Sequence, residues 1–468
     1  PGRSRALLAH LCAGDPLLAE WSDRLAAGKA GTVLTGQQPA LLGGPLYTLY
    51  KTMTALVRAR RLREAGFPAI AAFWCVGDDT DHDETGGASW PRADRPPARI
   101  RDERDSGGER IGGLSVERME PALGALAEDR PDDTEAIAGI EQILRSPRVR
   151  DWSGFLRAAL RRVAGEDPLL FVDGNDPVVH DAAQPFLRRF LDASLRERIA
   201  GEVDRLAARQ EDAALTGEEV RRSLFLARGR GRVALEDVPL DRRPDGKGET
   251  LLPNVVLRPL LQEHLLPVQQ VVCGDAEIAY RSLLGPLYRE VGRTAAPVVP
   301  RFAATLLPAL WTTDAGAPDP RRLLEDPDRA IEGWARDRLD PEIPAAIAEI
   351  RAGFRARLGE LVPDLQRFDR SLGQVVDSAQ KKIDFQVGRV EEAVLSKARS
   401  RLRRDYPTLG QIREILLPRG RPQERSFTLW LPWLAEGEEG LRGIERAVED
   451  WLIRGETGHA LLALERGL

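Results

Sequence analysis

Residues 32–51 read TVLTGQQPALLGGPLYTLYK, and their order decides the fold. A short apolar run, Thr32–Leu34, passes into a glycine-rich stretch from Thr35 to Lys51, and a helical pattern extends from about Pro45 to Ala65. A glycine-rich turn from strand to helix exposes backbone N–H groups at the positive helix end, which suits phosphate or carboxylate. The stretch matches neither G-x-G-x-x-G nor G-x-x-x-x-G-K-S/T, so the dinucleotide and P-loop fingerprints do not apply. Candidate ligand-binding residues here are Thr35, Gly36, Gln37, Gln38, Gly43, Gly44 and Tyr47; the two glutamines can read a polar ligand but cannot act as a base. Lys51 is a candidate catalytic residue. It lies about one and a half turns into the helix, placed either to reach back towards an anion or to run out into water. The chain relies on arginine and has only six lysines, which makes lysine the unusual choice here.

The same passage from apolar run to polar turn to helix recurs. Ala69–Val76 leads to Gly77-Asp78-Asp79, Leu169–Val172 to Asp173-Gly174-Asn175, and Val268–Val272 to Cys273-Gly274-Asp275. Continuous apolar strands alternating with helices predict an α/β fold with a parallel sheet covered on both faces. Ligands of such sheets bind at the carboxyl ends of the strands. The core is expected over residues 1–320, with insertions near 86–165 and 195–250; residues 86–113 read as a long loop or small insertion.

A chain of 468 residues is too long for one ordinary core. The net charge of -5, with both signs mixed throughout, argues against a general nucleic-acid binder, and no apolar run approaches the length of a membrane span. Three widely spaced cysteines, Cys12, Cys75 and Cys273, imply a reducing compartment, and hence the cytoplasm; Cys75 and Cys273, each closing an apolar run, read as packing residues. The chain begins at Pro1 without Met or a leader pattern, so a native start is expected to be missing or removed. His10, His180 and His459 have no sequence partners and read as surface or capping residues.

GDDTDHDE, residues 77–84, follows the buried run Phe73–Val76 and stands at the ligand edge of the predicted sheet. Oxygen-rich clusters suit Mg²⁺, and one member could instead serve as a general base. Asp78 and Asp79 are the candidate metal ligands, and Asp79, Asp81 and His82 the candidate catalytic groups. A solvated acidic loop is the plain alternative. Between Leu251 and Tyr288, Asn254, Arg258 and Gln262 recur at steps of four, although Pro259 argues against a simple helix. Arg258 can clamp a carboxylate or pair with an internal acid. Gly274, Glu277 and Tyr280 belong to a second strand-to-helix turn and complete the candidate binding set.

From Arg321 to Arg404 apolar residues recur at steps of three and four, a coiled-coil seam. Pro363 interrupts it, which predicts an antiparallel hairpin turning near that proline. Residues 405–468 are expected to return to the core.

Together, TGQQPALLGGPLYTLYK, FWCVGDDTDHDE, NVVLRPLLQEHLLPVQQVVCGDAEIAY, VVPR and LLPRGRPQERSFTLWLPWL make the chain resemble the cysteine-adding enzymes of bacillithiol biosynthesis, the BshC family. The resemblance implies a Rossmann-like core, related to class I aminoacyl-tRNA synthetases and nucleotidylyl transferases, plus a coiled-coil domain that forms a homodimer. It implies joining of cysteine to the amine of glucosaminyl-malate. Amide formation needs an activated carboxyl group, for which ATP with Mg²⁺ is the economical expectation. A metal-dependent hydrolase using residues 78–84 and a non-catalytic nucleotide-binding scaffold are the rival readings.

Overall fold

The computed structural model describes residues 5–92, 95–238, 249–308, 317–406, 409 and 411–463. At its centre is a five-stranded sheet of β1 (Gly31–Gln37), β2 (Ala69–Cys75), β3 (Leu169–Asp173), β4 (Val268–Cys273) and β5 (Val298–Pro300). Every neighbouring pair is parallel. Numbered along the chain, the spatial order is 3-2-1-4-5. That is the doubly wound Rossmann order, and it reverses between β1 and β4, where the strand ends diverge and leave a crevice.

The strands read as unbroken apolar runs because both faces are covered. Val33, Ala71, Phe73 and Phe171 enter one core with the Leu46–Glu64 and Trp152–Ala164 helices. Leu34, Ile70, Trp74 and Val172 alternate onto the other face, against the Pro177–Leu187 and Leu257–Leu265 helices.

The stretch expected as a loop from 86 to 113 contains an antiparallel pair, Gly87–Trp90 with Ala98–Arg101. Residues 195–250 and their surroundings supply the Ala193–Ala207 helix and a three-stranded sheet of Leu224–Arg228, Gly231–Ala234 and Leu251–Pro253. Pro259 does not prevent a helix. It falls in the first turn of Leu257–Leu265, where a missing N–H breaks no intrahelical bond.

The hairpin does not turn at Pro363. One helix runs through that proline from Glu342 to Phe368, and the return helix spans Leu372–Asp405. Pro363 is exposed, so water can satisfy the carbonyl its ring cannot serve, and the residue four positions earlier is Gly359, which has open space around it. Asp369 and Ser371 make the turn instead, the Ser371 N–H donating to Asp369 Oδ1 at 2.8 Å. Ile347, Leu358, Leu365, Leu372 and Ile383 are half-buried, whereas Ile343, Ile350, Phe354, Leu361 and Val375 are exposed. Among the described residues no helix is long and apolar enough to cross a membrane.

After the hairpin the chain packs against the first core. Phe427, Leu429, Trp430 and Trp433 are buried there, and Ala460–Ala463 pairs in parallel with Ala304–Leu307.

Candidate active site

A cavity of about 350 Å³ opens at the switch point, between the carboxyl ends of β1 and β4. From β1 and its turn come Thr35, Gly36, Gln37 and Gln38. The following helix adds Tyr47 and Lys51, and the end of β2 adds Asp79. Arg258 and Gln262 come from the Leu257–Leu265 helix, and Gly274, Glu277 and Tyr280 from the turn after β4. These sequence-predicted residues are brought together.

Lys51 does not run out into water. Its side chain is 5% exposed, its Nζ stands 2.6 Å from Glu277 Oε2, and it donates to Gly36 O at 2.9 Å and Gln37 Oε1 at 3.2 Å. Glu277 also accepts the Gly274 N–H at 2.9 Å, so one carboxylate ties the second turn to the first helix. Gln37 Nε2 donates to the Tyr47 hydroxyl at 2.9 Å. Thr35 Oγ1 donates across the sheet to Val272 O at 3.1 Å, a contact that binds β1 to β4.

Asp79 is held on all sides. Arg232 pairs with its Oδ1, which also accepts the Thr80 N–H at 2.7 Å, while Gln38 Nε2 donates to Oδ2 at 2.9 Å. Burial opposes its charge, but Arg232, Arg258 and these hydrogen bonds prevail and hold the carboxyl below its usual value. A carboxylate this well satisfied is a poor proton acceptor. Asp78 is buried away from the cavity lining, 3.5 Å from Arg258 Nη2.

The other acidic-block residues turn away. Asp81 caps the Glu84 N–H at 3.0 Å, and His82 Nε2 faces Asp102 Oδ2 at 3.3 Å. Neither lines the cavity, because the chain enters the short His82–Thr85 helix directly after Asp81. Asn254 also lies outside it: its Oδ1 accepts the Val256 N–H at 2.9 Å and its Nδ2 donates to Glu219 O at 2.7 Å, pinning the start of a helix.

The glycine turn is not a backbone cradle for an anion. The Gly43 N–H donates to Ala40 O at 2.8 Å, the Gly44 N–H to Leu41 O at 3.2 Å, and the Leu46 N–H to Phe427 O at 2.7 Å. The C-terminal segment has taken the helix end that the sequence offered to a ligand. Gly43 packs instead, with φ of +84° and Leu429 Cδ2 only 2.9 Å from where a Cβ would stand.

Four charged lining residues are not singled out individually from sequence: Arg281, Arg301, Arg425 and Glu84, the last a member of the acidic block 77–84. Arg301, from VVPR, forms a buried pair with Glu424, from RPQERS, and donates to Glu424 Oε2 at 2.9 Å. Glu84 is the lining carboxylate for which no ion pair is seen among the described residues. Burial, then Asp81 and Asp79, raise its pKa, and Arg425 opposes them.

Among the described residues no three His, Cys, Asp or Glu side chains gather as metal ligands. Asp78 and Asp79 each face an arginine, so the donor set does not fit a protein-held Mg²⁺. An oxyanion fits better, because the buried Nε of Arg258 has no hydrogen-bond partner. The cysteines are free and buried, and burial followed by the Glu277 charge pushes the Cys273 thiol up to about 12, away from nucleophilic chemistry.

The comparison with known families settles the lineage. The model described as Bacillithiol biosynthesis BshC, N-terminal Rossmann-like domain, matches residues 16–243 and 239–302, and that of the BshC C-terminal coiled-coil domain matches 319–443. The chain belongs to the BshC family. A relative from Symbiobacterium thermophilum is 30% identical over 458 residues, covering 86% of this chain and 79% of its own. Relatives from Halalkalibacterium halodurans and Solibacter usitatus are 24% and 26% identical, covering 87% and 93% of this chain and 80% and 85% of theirs. All three bear the name Putative cysteine ligase BshC. The BshC coiled-coil match extends past the hairpin end at Asp405 to residue 443, into the segment that closes over the glycine turn.

Proposed function

We propose that this BshC family member is a ligase that joins the carboxyl group of cysteine to the amine of glucosaminyl-malate in bacillithiol biosynthesis. The observation that carries the reading is the cavity at the β1–β4 switch point, where a buried lysine and an arginine with a free Nε stand inside and an uncompensated carboxylate, Glu84, stands at the exposed rim. Glu84 accepts the proton released as the amine attacks, since its raised pKa brings it closer to the range of an effective base. Arg258, with its free Nε, faces the carboxyl oxygens and stabilises the negative charge that grows on them, while Lys51, its three N–H groups committed to Glu277, Gly36 O and Gln37, contributes through its nearby charge. Tyr47 keeps its phenolic proton, because burial and then Glu84 raise its pKa, so it serves as a donor rather than a base. ATP is the proposed activating group and would convert the carboxylate into one with a leaving group; Arg258 and Lys51 are the residues that fit its phosphates. Mg²⁺, where needed, would enter with the nucleotide rather than be held by Asp78 and Asp79.

We also propose a homodimer through the hairpin, supported by the exposed row Ile343, Ile350, Phe354 and Leu361. The free thiols are consistent with the cytoplasm. The test of the reaction is mass spectrometry of the purified protein incubated with glucosaminyl-malate, cysteine and ATP. A product carrying both substrates less one water is expected. Hydrolysis of the acceptor, or no product, rejects the ligase reading.

A further inference from the structure

Beside the main cavity lies a smaller one of about 150 Å³. The two share Gln37, Gln38, Tyr47, Glu84 and Arg425, and the smaller is completed by residues including Gly44, Arg421 and Thr428. Their charge differs. In the main cavity Lys51 faces Glu277, Arg258 faces Asp78, Arg281 faces Glu263 and Arg301 faces Glu424. In the smaller one, Arg421 and Arg425 form no ion pair among the described residues, and Glu84 on the shared wall is the lining carboxylate. Further positive charge stands behind Arg421. Burial, then Arg419, Arg101 and Arg421, hold the Arg99 guanidinium below its usual value. A second, independent observation is the Thr428 hydroxyl. Thr428 lines the small cavity and is 2% exposed, and its Oγ1 has no hydrogen-bond partner. A buried unpaired hydroxyl is costly unless something fills it.

We infer that the small compartment is the subsite for the carboxylates of the acceptor's malyl group, with Arg421 and Arg425 pairing with them and Thr428 donating. This rests on the amide-forming reading above. Malyl carboxylates and nucleotide phosphates are both oxyanions that arginine recognises. The volume favours the former, being below the roughly 300 Å³ of pockets that enclose drug-sized ligands. The placement also orders the reaction: with the malyl end beyond Glu84, the sugar amine lies beside that base and faces the carboxyl group held near Lys51.

The test is calorimetric titration of L-malate, and separately of ATP, into the full chain and into Arg421→Gln, Arg425→Gln and Thr428→Val, with amide formation followed in parallel. Both arginines are exposed, so folding should be intact, and melting curves check this. Malate affinity should fall by about tenfold in each arginine variant, with ATP affinity within about twofold of wild type. The KM for glucosaminyl-malate should rise in step, with kcat less affected. Unchanged malate affinity and KM overturn the inference, as does weakened ATP binding with malate unaffected, which would make the compartment a phosphate site. If the wild type forms no amide yet malate binding depends on the arginines, the ligase reading falls and the subsite stands.

Discussion

The acid–base character of individual side chains separates their roles here. Asp79 and Glu84 belong to one acidic block, yet arginines and an amide hold one ionised while burial and neighbouring carboxylates raise the pKa of the other. Glu84→Gln should therefore lower kcat by about 10²–10⁴-fold without altering the melting temperature. The acid limb of the wild-type rate profile should lie above the ordinary carboxylate value. Because Arg425 lowers the Glu84 pKa, Arg425→Gln should move that limb to higher pH, and an unmoved limb would remove Glu84 from the proton path. Asp173 carries the opposite lesson. Burial, ahead of all other causes, raises its carboxyl to about 6. Between the unfolded value of about 3.9 and that point the folded state binds more protons, so this group's contribution to stability falls as pH rises. Asp173→Asn removes the penalty. Its gain over wild type should be small near pH 4 and grow to about 2–3 kcal/mol near neutrality, as read by urea unfolding at the two pH values. A gain that is the same at both would contradict the assignment.

At the scale of elements, the glycine turn and the C-terminal segment form one device. Leu42, Gly43 and Gly44 have φ of +52°, +84° and +97°, and the unusual conformation at Leu42 is anchored by Trp430 Nε1, which donates to its carbonyl at 2.9 Å. Gly43→Ala should destabilise by about 1–3 kcal/mol, since the new methyl meets Leu429 in a backbone region that disfavours side chains. Urea unfolding measures this, and a neutral result would show that the turn can relax. The sequence displayed the strand, the glycines and the helix, but a helix N-terminus looks open until its partner is known. That partner, Phe427, lies nearly the whole chain away, and nothing local to residues 35–51 encodes the contact. The same long reach hid Arg232: its pairing with Asp79 joins an inserted sheet to β2, and no pattern in residues 195–250 points to it. The hairpin turn was misplaced for a local reason. Proline breaks helices by its average cost, but the exposed site four residues after a glycine lowers that cost.

Across the whole molecule, the parallel sheet was legible because strands buried on both faces must be apolar throughout, and the ligand edge followed from their polar ends. The 3-2-1-4-5 order, which places the cavity between β1 and β4, needed the structure. The hairpin leaves an apolar row that its own two helices do not cover, so Phe354→Glu with Leu361→Glu should yield monomers by light scattering with the core still folded. Persisting dimers would move the interface elsewhere. The central claim is that the switch-point cavity, and not the acidic block as a unit, forms the amide. Its most direct test is the single-turnover rate of product formation for Lys51→Arg and His82→Ala. Lys51 is enclosed by Glu277, Gly36 O and Gln37, where a wider planar guanidinium does not fit, so Lys51→Arg should lose at least about 2 kcal/mol of transition-state stabilisation. His82→Ala should stay within about threefold of wild type. A His82→Ala enzyme as impaired as Lys51→Arg, or a Lys51→Arg enzyme as fast as wild type, would contradict the account.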